Sequence, residues 1–151
     1  MTRKEKAMQA FIDGYNCSQS VILAFEDLLT IDLSTALKIA APFGGGMGRL
    51  REVCGSVSGM FMVLGFVLGY DDPKDMEGKK ILYAHEQELA RRFELENGSI
   101  VCRDLLGLTV KKEDATPSQR TEEYYKKRPC KELVGCATEI LENYLVELNM
   151  V

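Results

Sequence analysis

What the 151-residue chain lacks narrows its chemistry first. It has a single histidine, His85, and the surrounding Tyr83-Ala-His-Glu-Gln-Glu88 contains neither HExxH nor the Glu-x-x-His of di-iron bundles. His85 therefore reads as a solvated or core-edge residue. No CxxC pair occurs: successive cysteines are 37, 48, 28 and 6 residues apart, so neither a zinc ribbon nor a thioredoxin-type motif is written locally. The glycine-rich Gly44-Gly-Gly-Met-Gly48 lacks the Lys-Ser/Thr of a P-loop and follows no strand pattern, which leaves a hinge or tight loop. Glu86, Glu88, Glu94 and Glu96 show no pairing suited to acid–base catalysis.

Excess positive charge is also missing. With a net charge of −4 and short basic runs (Lys79-Lys80, Lys111-Lys112, Lys126-Lys-Arg128) interleaved with acids, the chain has no nucleic-acid footprint. The N-terminus Met1-Thr-Arg-Lys-Glu-Lys carries no apolar signal region, and five cysteines is an odd number. Together these argue against an extracellular disulfide scaffold and for a reducing cytoplasm. There is no repeat, no low-complexity tract and no disordered composition. Length and composition suit one domain spanning 1–151.

Alternating β patterns are nearly absent, whereas helical periodicity runs throughout. Val21, Ile22, Phe25, Leu28 and Leu29 place one apolar face on a helix from Cys17 to Leu29. Asp32 or Ser34 caps a second helix through Ala41. The uncharged run Val53–Tyr70 is eighteen residues long, the lower bound for a membrane span, yet it opens with Gly and Ser and ends in Asp71-Asp72-Pro73. A buried central helix of a soluble bundle is the better reading, with Gly55/Gly59 and Gly65/Gly69 allowing a neighbouring helix or a bound group to approach. A long helix from about Pro73 to Glu96 follows, with Ile81, Leu82, Leu89 and Phe93 as its buried stripe. Then come a short helix, Ile100 to Leu106, a charged linker, Lys111 to Gln119, a helix over Glu122–Lys127, and a last one from Pro129 to about Leu148. The expected fold is an irregular all-α bundle of about six helices around residues 53–70.

Four cysteines coincide with helix starts. Cys17 follows Asn16, which with Gln19 forms a capping-box variant. Cys102 lies three residues after Ser99, Cys130 follows Pro129, and Cys54 stands at or near the opening of the apolar helix, after the basic pair Arg49 and Arg51. Helix N-termini are locally positive, which lowers a thiol's pKa and favours the thiolate that attacks disulfides or binds metals. Arg49, Arg51 and Arg103 are placed to stabilise thiolates or to receive an anionic partner. Cys136 lies about 120° around the helix from Cys130 and reads as a packing residue.

The segments NCSQ, GGGMGRLREVCGSVSGMFMVLG, FELENGSIVCRDLLG and RPCKELVGCATEIL resemble the C_GCAxxG_C_C family, named for its cysteine pattern, over about Gly14 to Leu145. Its four cysteines correspond to Cys17, Cys54, Cys102 and Cys130, and its CGAxxG element to residues 54–59, with Ser56 in place of the alanine. The added hydroxyl can hydrogen-bond a nearby sulfur. The resemblance implies redox activity, with a redox partner and a link to membrane transporters, and specifies no reaction. Several readings stay open. The four thiolates can hold an iron–sulfur cluster, with Gly55 and Gly59 giving it room, or a zinc ion. Two of them can form a cofactor-free dithiol/disulfide pair. The chain can instead be a non-catalytic helical module of a transporter or redox protein, its cysteines buried as small hydrophobes.

Overall fold

The computed structural model describes residues 1–109 and 112–151, and it is all-α. Lys111, the expected start of the charged linker and part of one basic run, lies outside the described residues; the remainder, 112–119, is non-helical. The elements are α1 (Arg3–Ile12), α2 (Cys17–Ala24), α3 (Leu33–Ala40), the single turn α4 (Gly44–Met47), α5 (Gly55–Leu68), α6 (Met76–Asn97), α7 (Cys102–Leu105), α8 (Glu122–Lys127) and α9 (Cys130–Glu147). Side-chain caps set several starts. Thr2 with Glu5 and Asn16 with Gln19 form reciprocal capping boxes, Asp32 accepts the Thr35 amide, and Thr121 accepts that of Tyr124. Gly98, in the left-handed region at φ 89°, ends α6.

α2 packs against α1, α3, α5 and α9, while α5 and α6 each lean on α9. The buried residues form one cluster, with Phe11, Phe25, Phe93, Ile22, Met60, Leu64, Leu89, Leu141 and Leu145 fully enclosed. α5 contributes Val57, Met60, Val63 and Leu64, but from Gly65 to Leu68 it is only half-buried. Among the described residues no helix is long and apolar enough to cross a membrane.

Two expectations need correction. The helix expected to reach Leu29 stops at Ala24 and gives way to a 3₁₀ turn, Glu26–Leu28. Arg3 accounts for the stop: its guanidinium donates to the Ala24 carbonyl (2.9 Å), pairs with Asp27 (2.6 Å) and sits 4.8 Å above the Phe25 ring, satisfying the helix end from α1. Ile81 is exposed rather than buried. Only Leu89 and Phe93 of α6 are enclosed, while Leu82 is half-buried against the core.

The connection that matters for the cysteines is not helical. Val53 and Val101 form an isolated antiparallel bridge, flanked by the Cys54 amide donating to Ile100 O (2.8 Å) and the Cys102 amide to Glu52 O. This clamp sets the starts of α5 and α7 side by side. Leading into it, residues 45–51 include six in the left-handed region: Gly45, Gly46, Met47, Gly48, Arg49 and Arg51. Three of these are not glycine, a concentration of backbone strain of the kind found beside functional sites.

Candidate functional site: four cysteines on one cavity

Cys17, Cys102 and Cys130 each occupy the first position of a helix, α2, α7 and α9, and Cys54 is the N-cap of α5. The local signals differ from those expected at two of them. Val101, not Ser99, is the cap residue of α7, and Ser99 Oγ instead accepts the Val101 amide. Pro129 takes the cap of α9 rather than its first helical position. All four cysteines are free thiols.

They line one cavity of about 80 Å³, enough for a few water-sized groups, together with Arg51, Tyr124 and the backbone of Gly46 and Gly55. Gly46 and Gly55 are there of necessity. A Cβ on Gly46 would lie 2.6 Å from Cys102 Cβ, and one on Gly55 would lie 2.9 Å from Phe43 O and 3.0 Å from Cys17 Cβ. Gly55 thus borders the space with the thiols. Gly59 serves a different contact: its missing side chain admits Val21 and Ser18 of α2, and it does not line the cavity.

A second cavity of about 400 Å³ adjoins the first and opens outward, bordered by Arg49, Arg51, Arg120 and Arg128. Of the four cysteines only Cys130 lines both spaces. Cys130 stands at the junction, and Cys17, Cys54 and Cys102 lie behind it.

The electrostatics divide the thiols in the same way. Cys130 shares the proton of the Cys17 thiol, and that interaction is the main reason Cys130 is lowered to about 7. Burial opposes the shift, while Arg128, Arg51 and the Tyr124 hydroxyl reinforce it. Cys17 moves the other way, well above the usual thiol range. It keeps the shared proton, is half-buried and partly desolvated, and faces the charges that Cys130, Cys54 and Cys102 would carry. Cys54, 4% exposed, is pushed up to about 11 by burial, against the pull of the Ser56 and Val57 amides and the Ser56 hydroxyl. Cys102 is raised by burial despite Arg51, whose Nη1 donates to its sulfur at 3.5 Å. Cys130 is therefore the one of the four sulfurs that ionises near neutral pH, the other three being held as thiols. Among the described residues the Ser56 hydroxyl is fully buried without a hydrogen-bond partner while Cys54 is a thiol, although it faces that sulfur and would favour its thiolate.

Arg51 is no surface charge. It is 5% exposed and held by Glu113 through Nε and Nη2, both at 2.6 Å. Arg49 shares Glu113 at 3.2 Å, and Arg103 pairs with Glu52 at 3.2 Å. Among the described residues neither guanidinium hydrogen-bonds a cysteine sulfur. Cys136 packs at the core edge but also donates to Glu96 Oε2 (3.0 Å), and His85 bonds the Tyr144 hydroxyl (2.5 Å). Sequence reasoning missed Tyr124, Arg120 and Arg128. Arg128, two residues before Cys130, had a local signal; Arg120 is held at the site by donating to the distant Phe11 and Tyr15 carbonyls, and Tyr124 is carried there by α8.

Among the described residues no group of three or more His, Cys, Asp and Glu side chains is placed to hold a metal ion. No curated protein and no solved structure matches the chain. The profile of one family does, that described as "Putative redox-active protein (C_GCAxxG_C_C)", over residues 15–144. That match begins beside the Asn16 cap and ends at Tyr144 of α9, and over this span the chain belongs to the C_GCAxxG_C_C family.

Proposed function

We propose that the protein exchanges electrons by dithiol/disulfide chemistry, with Cys130 as the attacking thiolate and Cys17 as the resolving thiol. The observation that carries this reading is the position of Cys130. It borders the open cavity, shares the inner one with three other thiols, and is the one sulfur held low, at about 7, chiefly by Cys17. Such a thiol is about half ionised at neutral pH and reacts near the optimum for exchange.

Cys130 S⁻ attacks a disulfide, forming a mixed disulfide and releasing one thiolate. With the Cys130 charge gone, Cys17 loses both the hydrogen-bond acceptor and the like charge that kept it protonated. It gives its proton to solvent or to the released thiolate, attacks the Cys130 sulfur and releases the second thiolate. Two electrons pass from the pair to the substrate. In this reading the electrons return from a cytoplasmic thiol donor, and a transporter-linked redox partner is one candidate for the substrate side.

A second reading rests on the convergence of all four cysteines at helix N-termini around one cavity. That donor set fits a four-thiolate iron–sulfur cluster better than a single zinc ion, since no three ligands close on one point. Cys17, Cys54, Cys102 and Cys130 would hold the cluster, which would supply one-electron transfer. Arg51 and the helix ends would offset its charge, and three thiols would lose protons on loading.

The two readings separate in one preparation. Protein purified without oxygen is assayed for iron, sulfide and thiols, then exposed to a limiting disulfide and mapped by mass spectrometry. A Cys17–Cys130 disulfide in metal-free protein supports exchange. Stoichiometric iron and sulfide lost in Cys54→Ala supports the cluster, and inert thiols without metal overturn both.

A further inference from the structure

We infer that the outer cavity is a binding site for a small anionic disulfide, whose carboxylate is received by Arg128 as its sulfurs meet Cys130. The inference rests on the exchange reading above and adds to it the substrate's charge and size. Among the described residues four guanidinium groups border this space, and no acidic side chain lines it. Three of the four already have partners. Arg49 and Arg51 share Glu113, and Arg120 is spent on the Phe11 and Tyr15 carbonyls while stacking 4.0 Å above the Phe11 ring. Arg128 is half-buried and, among the described residues, its guanidinium has neither a carboxylate nor a hydrogen-bond partner.

A cation left unpaired in a concave site, two residues from the reactive sulfur, is arranged for a ligand's negative charge. The paired arginines keep the surrounding potential positive. At about 400 Å³ the space falls in the range of small-molecule pockets. The step itself balances as before: Cys130 S⁻ displaces one carboxylate-bearing thiolate, Cys17 displaces the other, and the pair is oxidised by two electrons as the disulfide becomes two thiols.

The test compares three small disulfides on the reduced protein at low ionic strength: dithiodiglycolate (anionic), hydroxyethyl disulfide (neutral) and cystamine (cationic). Each second-order rate is divided by that of free dithiothreitol with the same probe, which removes intrinsic reactivity. The expected order is anionic over neutral over cationic, with an anionic-to-neutral ratio on the order of tenfold that shrinks as salt rises above about 0.1 M. Arg128→Gln should bring that ratio close to one, although it slows all probes, and Arg128→Lys should keep most of it. Equal normalised rates in the wild type overturn the anionic site and leave exchange standing. A ratio that survives Arg128→Gln overturns the role of Arg128. No reaction of Cys130 with any probe refutes the exchange reading itself, and this inference with it.

Discussion

Replacing Cys17 with alanine removes the contact that does most to hold Cys130 low, and the consequence can be worked through in numbers. At about 7, Cys130 is roughly half thiolate at pH 7. Without the Cys17 donor, burial still raises it, while Arg128, Arg51 and Tyr124 still lower it. It should return toward an ordinary thiol value of about 8.5, where roughly 3% is ionised at pH 7, a loss of about fifteenfold in thiolate. A more basic thiolate is a better nucleophile. With a Brønsted slope of 0.4–0.5, a shift of about 1.5 units restores roughly fivefold in exchange with disulfides. The net rate at pH 7 should fall only about threefold, and above about pH 8 the variant should overtake the wild type. The midpoint of the pH–rate profile is therefore the informative quantity. Hydroxyethyl disulfide suits the assay because a neutral probe is not steered by the arginines, and the Cys17→Ala mixed disulfide accumulates on Cys130, where mass spectrometry locates it. An upward shift of at least one unit is expected, with Cys54→Ala shifting the midpoint by less than about half a unit. A midpoint unmoved in Cys17→Ala would refute the pairing of Cys17 with Cys130.

The remaining predictions concern stability. Burial holds Cys54 at about 11, so the folded protein keeps a proton that the unfolded chain releases near pH 8.5; stability is intact below that pH and declines as pH climbs toward 11, by up to about 3 kcal/mol for this group. Thermal melts under reducing conditions should show a steeper loss between pH 8.5 and 11 in the wild type than in Cys54→Ala, and parallel curves would contradict it. Gly59→Ala should cost about 1–3 kcal/mol in urea unfolding, since its Cβ would stand 2.8 Å from Val21 Cβ, whereas Gly65→Ala meets nothing within 4 Å and should gain up to about 1 kcal/mol; equal effects would mean α2 does not rest on that face of α5. Ser56→Ala removes a buried hydroxyl that has no partner and should stabilise by about 1 kcal/mol while pushing Cys54 higher still; a loss of stability would mean that the hydroxyl is bonded in solution.

Helix positions were legible where the cause is local. The Asn16–Gln19 box, the Asp32 cap and Gly98 each act within a turn of themselves, and the starts of α2, α3 and the end of α6 follow from them. Boundaries failed where a distant group decides, as when Arg3 ends α2 from across the fold. The same division holds for the site. At Cys17 the helix start is written beside it in the Asn16–Gln19 box, whereas Ser99 and Pro129 only mark the neighbourhood of the starts at Cys102 and Cys130, and Cys54 proves to be an N-cap. The inequality of the four is not written locally. Cys130 differs from Cys17 because one donates a proton that the other accepts, and from Cys54 because one borders the outer cavity and the other sits 4% exposed behind it. Nor does helix-start placement by itself lower a thiol, as the rises at Cys17, Cys54 and Cys102 demonstrate. Once sulfurs share a small enclosed space, desolvation and mutual repulsion outweigh the few tenths to one kcal/mol a helix end offers, and only the sulfur with both a thiol donor and unspent positive charge stays ionised. Proton sharing and access to the open cavity thus select the same atom, which is why Cys130, and not the set of four, is where the chemistry begins.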